Sequence, residues 1–180
     1  MIIECLSSIS DQDLFRVNDT EMSIYLVMCK GEKDNNKSDL EKKVNNVLRL
    51  IENIAFFTSS RLSFKIVTNY ETLAVQEKFS ERIAGPDISV SVANVWLPPD
   101  LSDMMMAYKP CVSAKIFLHD MFPQDDAGIV LDTDIIVMDD LAKLWAMFSE
   151  FDSQQFAGLA PVETHYSNVN NIPYYGPVGQ

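Results

Sequence analysis

Short apolar runs alternate along this chain with longer stretches in which apolar residues recur every third or fourth position. Residues 24–29 (IYLVMC) form the first run and predict a buried strand. A polar loop with Gly31 follows. Ser38 then opens a helix, with Glu41 three residues on in a capping-box pattern. Leu40, Val44, Val47, Leu48, Ile51, Ile54 and Ala55 follow at helical spacing and give that helix one apolar stripe. Alternation over residues 62–68 predicts a second strand. Residues 71–84 predict a second helix, ended by Gly85-Pro86. The ISVSV alternation within residues 88–96 predicts a third strand.

Pro98-Pro99 then breaks the chain, and residues 100–107 read as a short Met-rich helical piece. A helix over residues 112–122 and a buried strand over 128–131 come next, and that strand delivers Asp132 at its carboxyl end. Residues 135–138 are apolar again. Asp139 or Asp140 caps a helix running to about Phe148, with Leu141, Leu144 and Trp145 on its core side. Residues 155–160 read as a strand and 168–180 as a loop. Residues 1–21 are polar and irregular and read as an N-terminal arm, leaving 22–180 as one domain. Strands alternating with helices predict an α/β fold with a parallel sheet, in which ligands bind at the carboxyl ends of strands.

Composition narrows the function classes. With 180 residues, 47% of them hydrophobic, the chain suits one domain with a real core. The net charge of −12 argues against a nucleic-acid surface, which needs clustered cations against the phosphates, and against an anionic membrane surface. No apolar run approaches the roughly 18 residues that span a bilayer. The first ten residues lack the basic-then-apolar layout of a signal peptide. Cys5, Cys29 and Cys111 are too scattered for a zinc site and leave room for one disulfide, whose pairing the sequence leaves open. Asn-x-Ser/Thr triplets at Asn18 and Asn36 matter only in a secreted context.

The candidate chemistry lies in residues 129–140 (IVLDTDIIVMDD). The bare Asp-x-Asp triplet carries no weight, because 16 Asp in this chain give about 1.4 such triplets by chance and two occur. Context separates them. Asp11 and Asp13 sit in a polar stretch, whereas Asp132 and Asp134 lie between apolar runs, where paired carboxylates are costly without a partner. Two close carboxylates recruit a hard divalent cation, Mn²⁺ or Mg²⁺. Such an ion suits a nucleotide-sugar donor, whose diphosphate leaves with negative charge. The other reading of Asp132 and Asp134 is a turn cap between two strands. A phosphatase of the haloacid-dehalogenase type also sets Asp-x-Asp after a strand, but the Ile135-Ile136 continuation and the short remaining chain disfavour it.

Five stretches in this order carry a resemblance: 109–118 (KPCVSAKIFL), the strand with Asp132-Thr133-Asp134, 140–145 (DLAKLW), 157–161 (AGLAP) and 173–179 (PYYGPVG). Together they resemble glycosyltransferase family 8, and within it the glucoside xylosyltransferases above all. LARGE-type xylosyltransferase domains and xyloside xylosyltransferases are more distant likenesses. The resemblance is dense over residues 109–179, faint over 24–96 and absent from the first 20. It implies a GT-A-type, Rossmann-like nucleotide-sugar-binding sheet with flanking helices, a UDP-sugar donor, Mn²⁺, and transfer with retention at the anomeric carbon. It also implies UDP-xylose as donor, O-linked glucose on epidermal-growth-factor-like repeats of a glycoprotein as acceptor, and a Golgi or endoplasmic reticulum lumen.

Residue by residue, the resemblance assigns Asp132 and Asp134 to the metal, with Asp132 or the Thr133 backbone near the ribose. Lys115 matches a basic position near the diphosphate or donor sugar, often Arg, and is otherwise a solvated helix residue. Val27, Met28 and Cys29 lie where the family seats uracil, or are plain core strand. Tyr174 and Tyr175 stack on an acceptor sugar or pack as loop aromatics. Past the position of Gly179 the family continues with a donor-sugar loop and, further on, a metal-ligating His. The expectation is therefore a C-terminally truncated catalytic domain whose membrane anchor lies outside this chain. Two alternatives remain: a non-catalytic UDP- and metal-binding or interaction module, and a UDP-glucose or UDP-galactose transferase of the same family.

Overall fold

The structure is a computed structural model that describes residues 2–5, 21–30, 37–83, 85–101, 110–152 and 155–159. The strands are β1 (Ile2–Cys5), β2 (Glu21–Val27), β3 (Arg61–Thr68), β4 (Ile88–Asn94), β5 (Ala127–Leu131) and β6 (Ala157–Leu159). The helices are α1 (Lys37–Phe57), α2 (Thr72–Ser80), α3 (Pro110–Ser113), α4 (Leu118–Met121) and α5 (Ala142–Ala146). Short 3-10 turns cover Pro99–Leu101, Ala114–Phe117 and Met147–Glu150.

Among the described residues the strands form one sheet, in the order β4-β3-β2-β5-β1-β6. The four strands β4, β3, β2 and β5 run parallel. The chain first moves outward from β2 to β3 and β4, then returns to add β5 on the other side of β2. Strand order therefore reverses between β2 and β5. In open α/β sheets such a reversal leaves a crevice at the carboxyl ends of the two strands.

The apolar periodicity explains the layers. Ile24 and Leu26 of β2, Phe64 and Ile66 of β3, and Ile129 and Leu131 of β5 are fully buried against one face. The stripe of α1 (Val44, Val47, Ile51, Ile54) and Val75 and Phe79 of α2 cover that face, and Leu141, Trp145 and Phe148 join the same core. Leu144 packs at its margin. Tyr25, Val67 and Val130 point to the opposite face, where Ala114 and Leu118 meet them. All five residues of β5 are buried, as befits a strand covered on both faces.

Three local expectations are corrected. The stretch read as an irregular arm contributes β1, which pairs antiparallel with both β5 and β6. Four residues are too few for a periodicity to register, yet they satisfy the open backbone edge of β5. Helix α1 begins at Lys37, one residue before the expected cap, and Glu41 is engaged elsewhere. Its carboxylate bridges to α2, accepting from Lys78 Nζ at 2.6 Å and from Arg82. The single helix expected over 112–122 divides into α3, a 3-10 turn and α4, with Phe117 leaving helical geometry at the junction. The capping expectation holds for Asp140, whose Oδ1 accepts the Ala142 N–H at 2.9 Å ahead of α5. Residues 102–107 and 168–180 lie outside the described residues.

Two outcomes follow from this packing. A Cβ at Gly128 would run into the ring of Tyr25, which is fully buried, stacks on Phe122 at 5.4 Å and bonds to Asp125 through its hydroxyl. Gly128→Ala should therefore destabilise the fold by about 1–3 kcal/mol, read as a lowered denaturant midpoint. Hydrogen bonds from Lys78 and then Arg82 hold the Glu41 carboxyl below its ordinary range. A depressed carboxylate contributes fully above its unfolded pKa, and that contribution is lost as pH falls through the folded value. Wild type should thus exceed Glu41→Gln in thermal midpoint at pH 7, and the gap should close on acidification below the usual glutamate range.

Candidate functional site

Register sets the site. Leu26 of β2 stands opposite Leu131 of β5, so residues 28–29 and 132–134 leave the sheet together at the carboxyl edge. They do so at the point where strand order reverses. Both segments line one cleft of about 280 Å³, shared by Val27, Met28, Cys29 and Thr133 with Lys43 and Asn46 of α1. A second cleft of about 400 Å³ adjoins it through Asn46 and Thr133 and is bounded by Arg49, Asn53, Asp134 and Ile136. The two form a groove between α1 and the strand ends.

Lys115 enters the same neighbourhood from the opposite face. It lies on the 3-10 turn after α3, and its ammonium pairs with Asp132. The Lys115 side chain is 22% exposed. It is therefore an engaged cation and not a solvated helix residue. The structure thus brings Lys115, Asp132, Thr133 and residues 27–29 together, with Asp134 on the α1 side. Tyr174 and Tyr175 fall outside the described residues.

Burial does not single out the two aspartates. Asp132 and Asp134 are both exposed, because they lie just past the end of β5 and not within it. They stand at the carboxyl end of a central strand, and Asp11 and Asp13 lie outside the described residues. Their donor chemistry fits a small hard dication, which commonly takes one or two carboxylates and fills its shell with phosphate oxygens and water. Among the described residues, no group of three or more His, Cys, Asp and Glu is arranged to hold a metal. Among the described residues, Asp132 and Asp134 are the carboxylates at this strand end, and Asp132 is paired with Lys115.

Cys29 is joined to Cys111 by a disulfide with Cα atoms 6.2 Å apart. Its thiol is not free to contact a ligand, and what it offers the cleft is backbone and sulfur surface. The bridge spans 82 residues of sequence. A chain-entropy estimate for such a loop is about 4.5 kcal/mol of constraint on the unfolded state.

Sequence reasoning missed the α1 wall. Lys43 donates to the Cys29 carbonyl at 2.6 Å and pins the turn after β2. Asn53 reads the backbone of Val137 in both directions: its Nδ2 donates to the carbonyl at 3.0 Å and its Oδ1 accepts the N–H at 2.8 Å. Thr58 Oγ1 accepts the Leu141 N–H at 3.2 Å. The chain after Asp134 is thereby led down along α1 as an extended segment, with Val137 buried and Ile136 and Met138 exposed. A signal was present in the sequence. Lys43, Asn46, Arg49 and Asn53 recur at helical spacing beside the apolar stripe, and asparagine is a poor helix former with no reason to be there on propensity alone.

The four parallel strands with helices on both faces form an α/β fold consistent with the GT-A type of glycosyltransferase. No family model matches the chain. Among curated proteins it is similar to glucoside xylosyltransferase 1 of Mus musculus, with 25% identity over 171 residues, which is 89% of this chain and 39% of that protein. It is 31% identical over 77 residues to glucoside xylosyltransferase 1 of Homo sapiens, covering 40% of this chain and 18% of the relative. It is 30% identical over 118 residues to the xylosyl- and glucuronyltransferase LARGE2s of Gallus gallus, covering 63% and 16%. The chain is thus a homologue of glycosyltransferases, and it spans about two fifths of the length of the mouse relative. No helix among the described residues is long and apolar enough to cross a membrane.

The Asn53 clamp has a measurable consequence. Asn53→Ala leaves the N–H and carbonyl of buried Val137 unpaired, which should lower stability by about 1–3 kcal/mol. Amide exchange should accelerate at Val137 far more than in β3.

Proposed function

We propose that this chain carries the donor-binding half of a metal-dependent, retaining xylosyltransferase that moves xylose from UDP-xylose to an O-linked glucose on a glycoprotein. The observation that carries this reading is the Lys115–Asp132 ion pair at the end of β5, next to the cleft that residues 27–29 and Thr133 line where strand order reverses. Similarity to proteins named for xylosyl transfer supports the sugar. In the reaction the bond between the anomeric carbon and the diphosphate breaks, UDP leaves, and the acceptor hydroxyl oxygen takes its place on the same face with loss of its proton. Residues 27–29 and Thr133 would cradle the nucleoside. Lys115 would exchange Asp132 for diphosphate oxygens and oppose the charge of the leaving group. A bound Mn²⁺ or Mg²⁺, held by Asp132 and Asp134, would neutralise diphosphate charge. The Cys29–Cys111 disulfide supports an oxidising compartment, in keeping with a Golgi or endoplasmic reticulum lumen.

A second reading, a UDP-binding module without turnover, draws on the chain spanning 39% of its mouse relative and on the two-carboxylate donor set. Calorimetry of UDP with and without Mn²⁺ tests the site. Binding should require the metal, Asp134→Ala should abolish the metal-dependent part, and Lys115→Ala should weaken UDP about tenfold. UDP binding indifferent to all three changes would sink the site assignment. Release of xylose from UDP-xylose separates the enzyme from the binding module, and comparison with UDP-glucose and UDP-galactose fixes the donor.

A further inference from the structure

The sulfur atoms of Cys29 and Cys111 take no part in the chemistry just described, yet the bond between them ties the cleft lined by Cys29 to the segment that carries Lys115. Cys29 lines the 280 Å³ cleft at the end of β2, where its carbonyl is held by Lys43. Cys111 stands at the second position of α3, four residues ahead of Lys115. The segment carrying Lys115 has little helix to steady it. Segment α3 and the following 3-10 turn are four residues each, too short to be stable on their own. Ala114 and Leu118 anchor it inward, while Val112 and Ile116 are each 59% exposed. Phe117 also meets the Trp96 ring edge-on, and the covalent link at Cys111 is the tether that runs to the end of β2.

We propose that the Cys29–Cys111 cystine is a positioning pair of this site: it holds the Lys115 segment at the carboxyl end of β2 so that the ammonium meets Asp132. The nucleotide consequence rests on the donor-site reading above, whereas the consequence for Lys115 itself does not. Reduction by a dithiol such as dithiothreitol breaks the S–S bond. The reagent supplies two electrons and two protons, leaves as its cyclic disulfide, and yields two cysteine thiols. The Lys115 segment then loses its tether to β2 while Ala114 and Leu118 stay in the core.

The test compares oxidised and reduced chain by NMR of ¹³Cε-labelled lysine, with Asp132→Asn marking the signal of unpaired Lys115. Lys65 is the internal control, since it is paired with Asp125 away from the bridge. Reduction should move the Lys115 signal toward its Asp132→Asn position and leave Lys65 in place. An unmoved Lys115 overturns the proposal. Movement of Lys115 and Lys65 together overturns it too, because the cystine would then be a general stabilising cross-link. In the second arm, reduction should weaken UDP with Mn²⁺ about tenfold in wild type and leave Lys115→Ala unchanged. Equal weakening in both would count against positioning. If UDP binds no form while the Lys115 signal behaves as expected, the donor-site reading fails and the positioning role stands.

Discussion

The parallel pairing of β2 with β5 is the constraint on which everything else depends. Both strands are central and covered on both faces, so a slip of one residue would turn Ile24, Leu26, Ile129 and Leu131 away from the core they fill. Gly128 sharpens the specification, because the Tyr25 ring occupies the space a side chain there would need. With register locked, the two strands end level. The turn after β2 and the turn after β5 are then forced to share one edge, where strand order reverses. The groove is a consequence of core packing and does not depend on any attraction between the groups that line it.

Helix α1 connects that packing to the site, since its two sides do different work. Its apolar stripe lies on the sheet, and its polar ridge forms the groove wall. Lys43 holds the Cys29 carbonyl, and Asn53 and Thr58 take backbone groups of Val137 and Leu141. The segment after Asp134 needs those partners, because it runs extended without a neighbouring strand and would otherwise leave buried backbone groups unsatisfied. One helix thus fixes the chain on both sides of the groove.

Much of the fold was legible because burial on both faces leaves dense apolar runs. Strands β2 to β5 and the stripe of α1 could be read from periodicity alone. Strand β1 could not, since Ile2–Cys5 is four residues long and followed by polar chain. The site was legible in part. Asp132 and Asp134 stood out through the strand behind them and the motifs around them, yet the burial expected of them was wrong, because a strand end is solvent-facing even when the strand is not. The pairing of Cys29 with Cys111 and the role of Asn53 depend on contacts between residues 82 and 84 positions apart, which no local pattern encodes.

Charge presents an apparent conflict that geometry resolves. A chain of net charge −12 should repel a nucleotide diphosphate. At physiological ionic strength, however, charges beyond about 8 Å are largely screened, so a bound anion senses the groups that line its site far more than the total. Lys43 and Arg49 of α1 line the two clefts, and Lys115 stands next to Thr133 through its pairing with Asp132. In the free site Lys115 is neutralised by Asp132, which keeps the groove from carrying an unbalanced cation. In the donor site proposed above, an incoming diphosphate would compete with Asp132 for Lys115, and a dication would compete with Lys115 for Asp132. The two binding events would then be coupled through one ion pair: each would release the partner the other needs, and each would bind more tightly when the other is present.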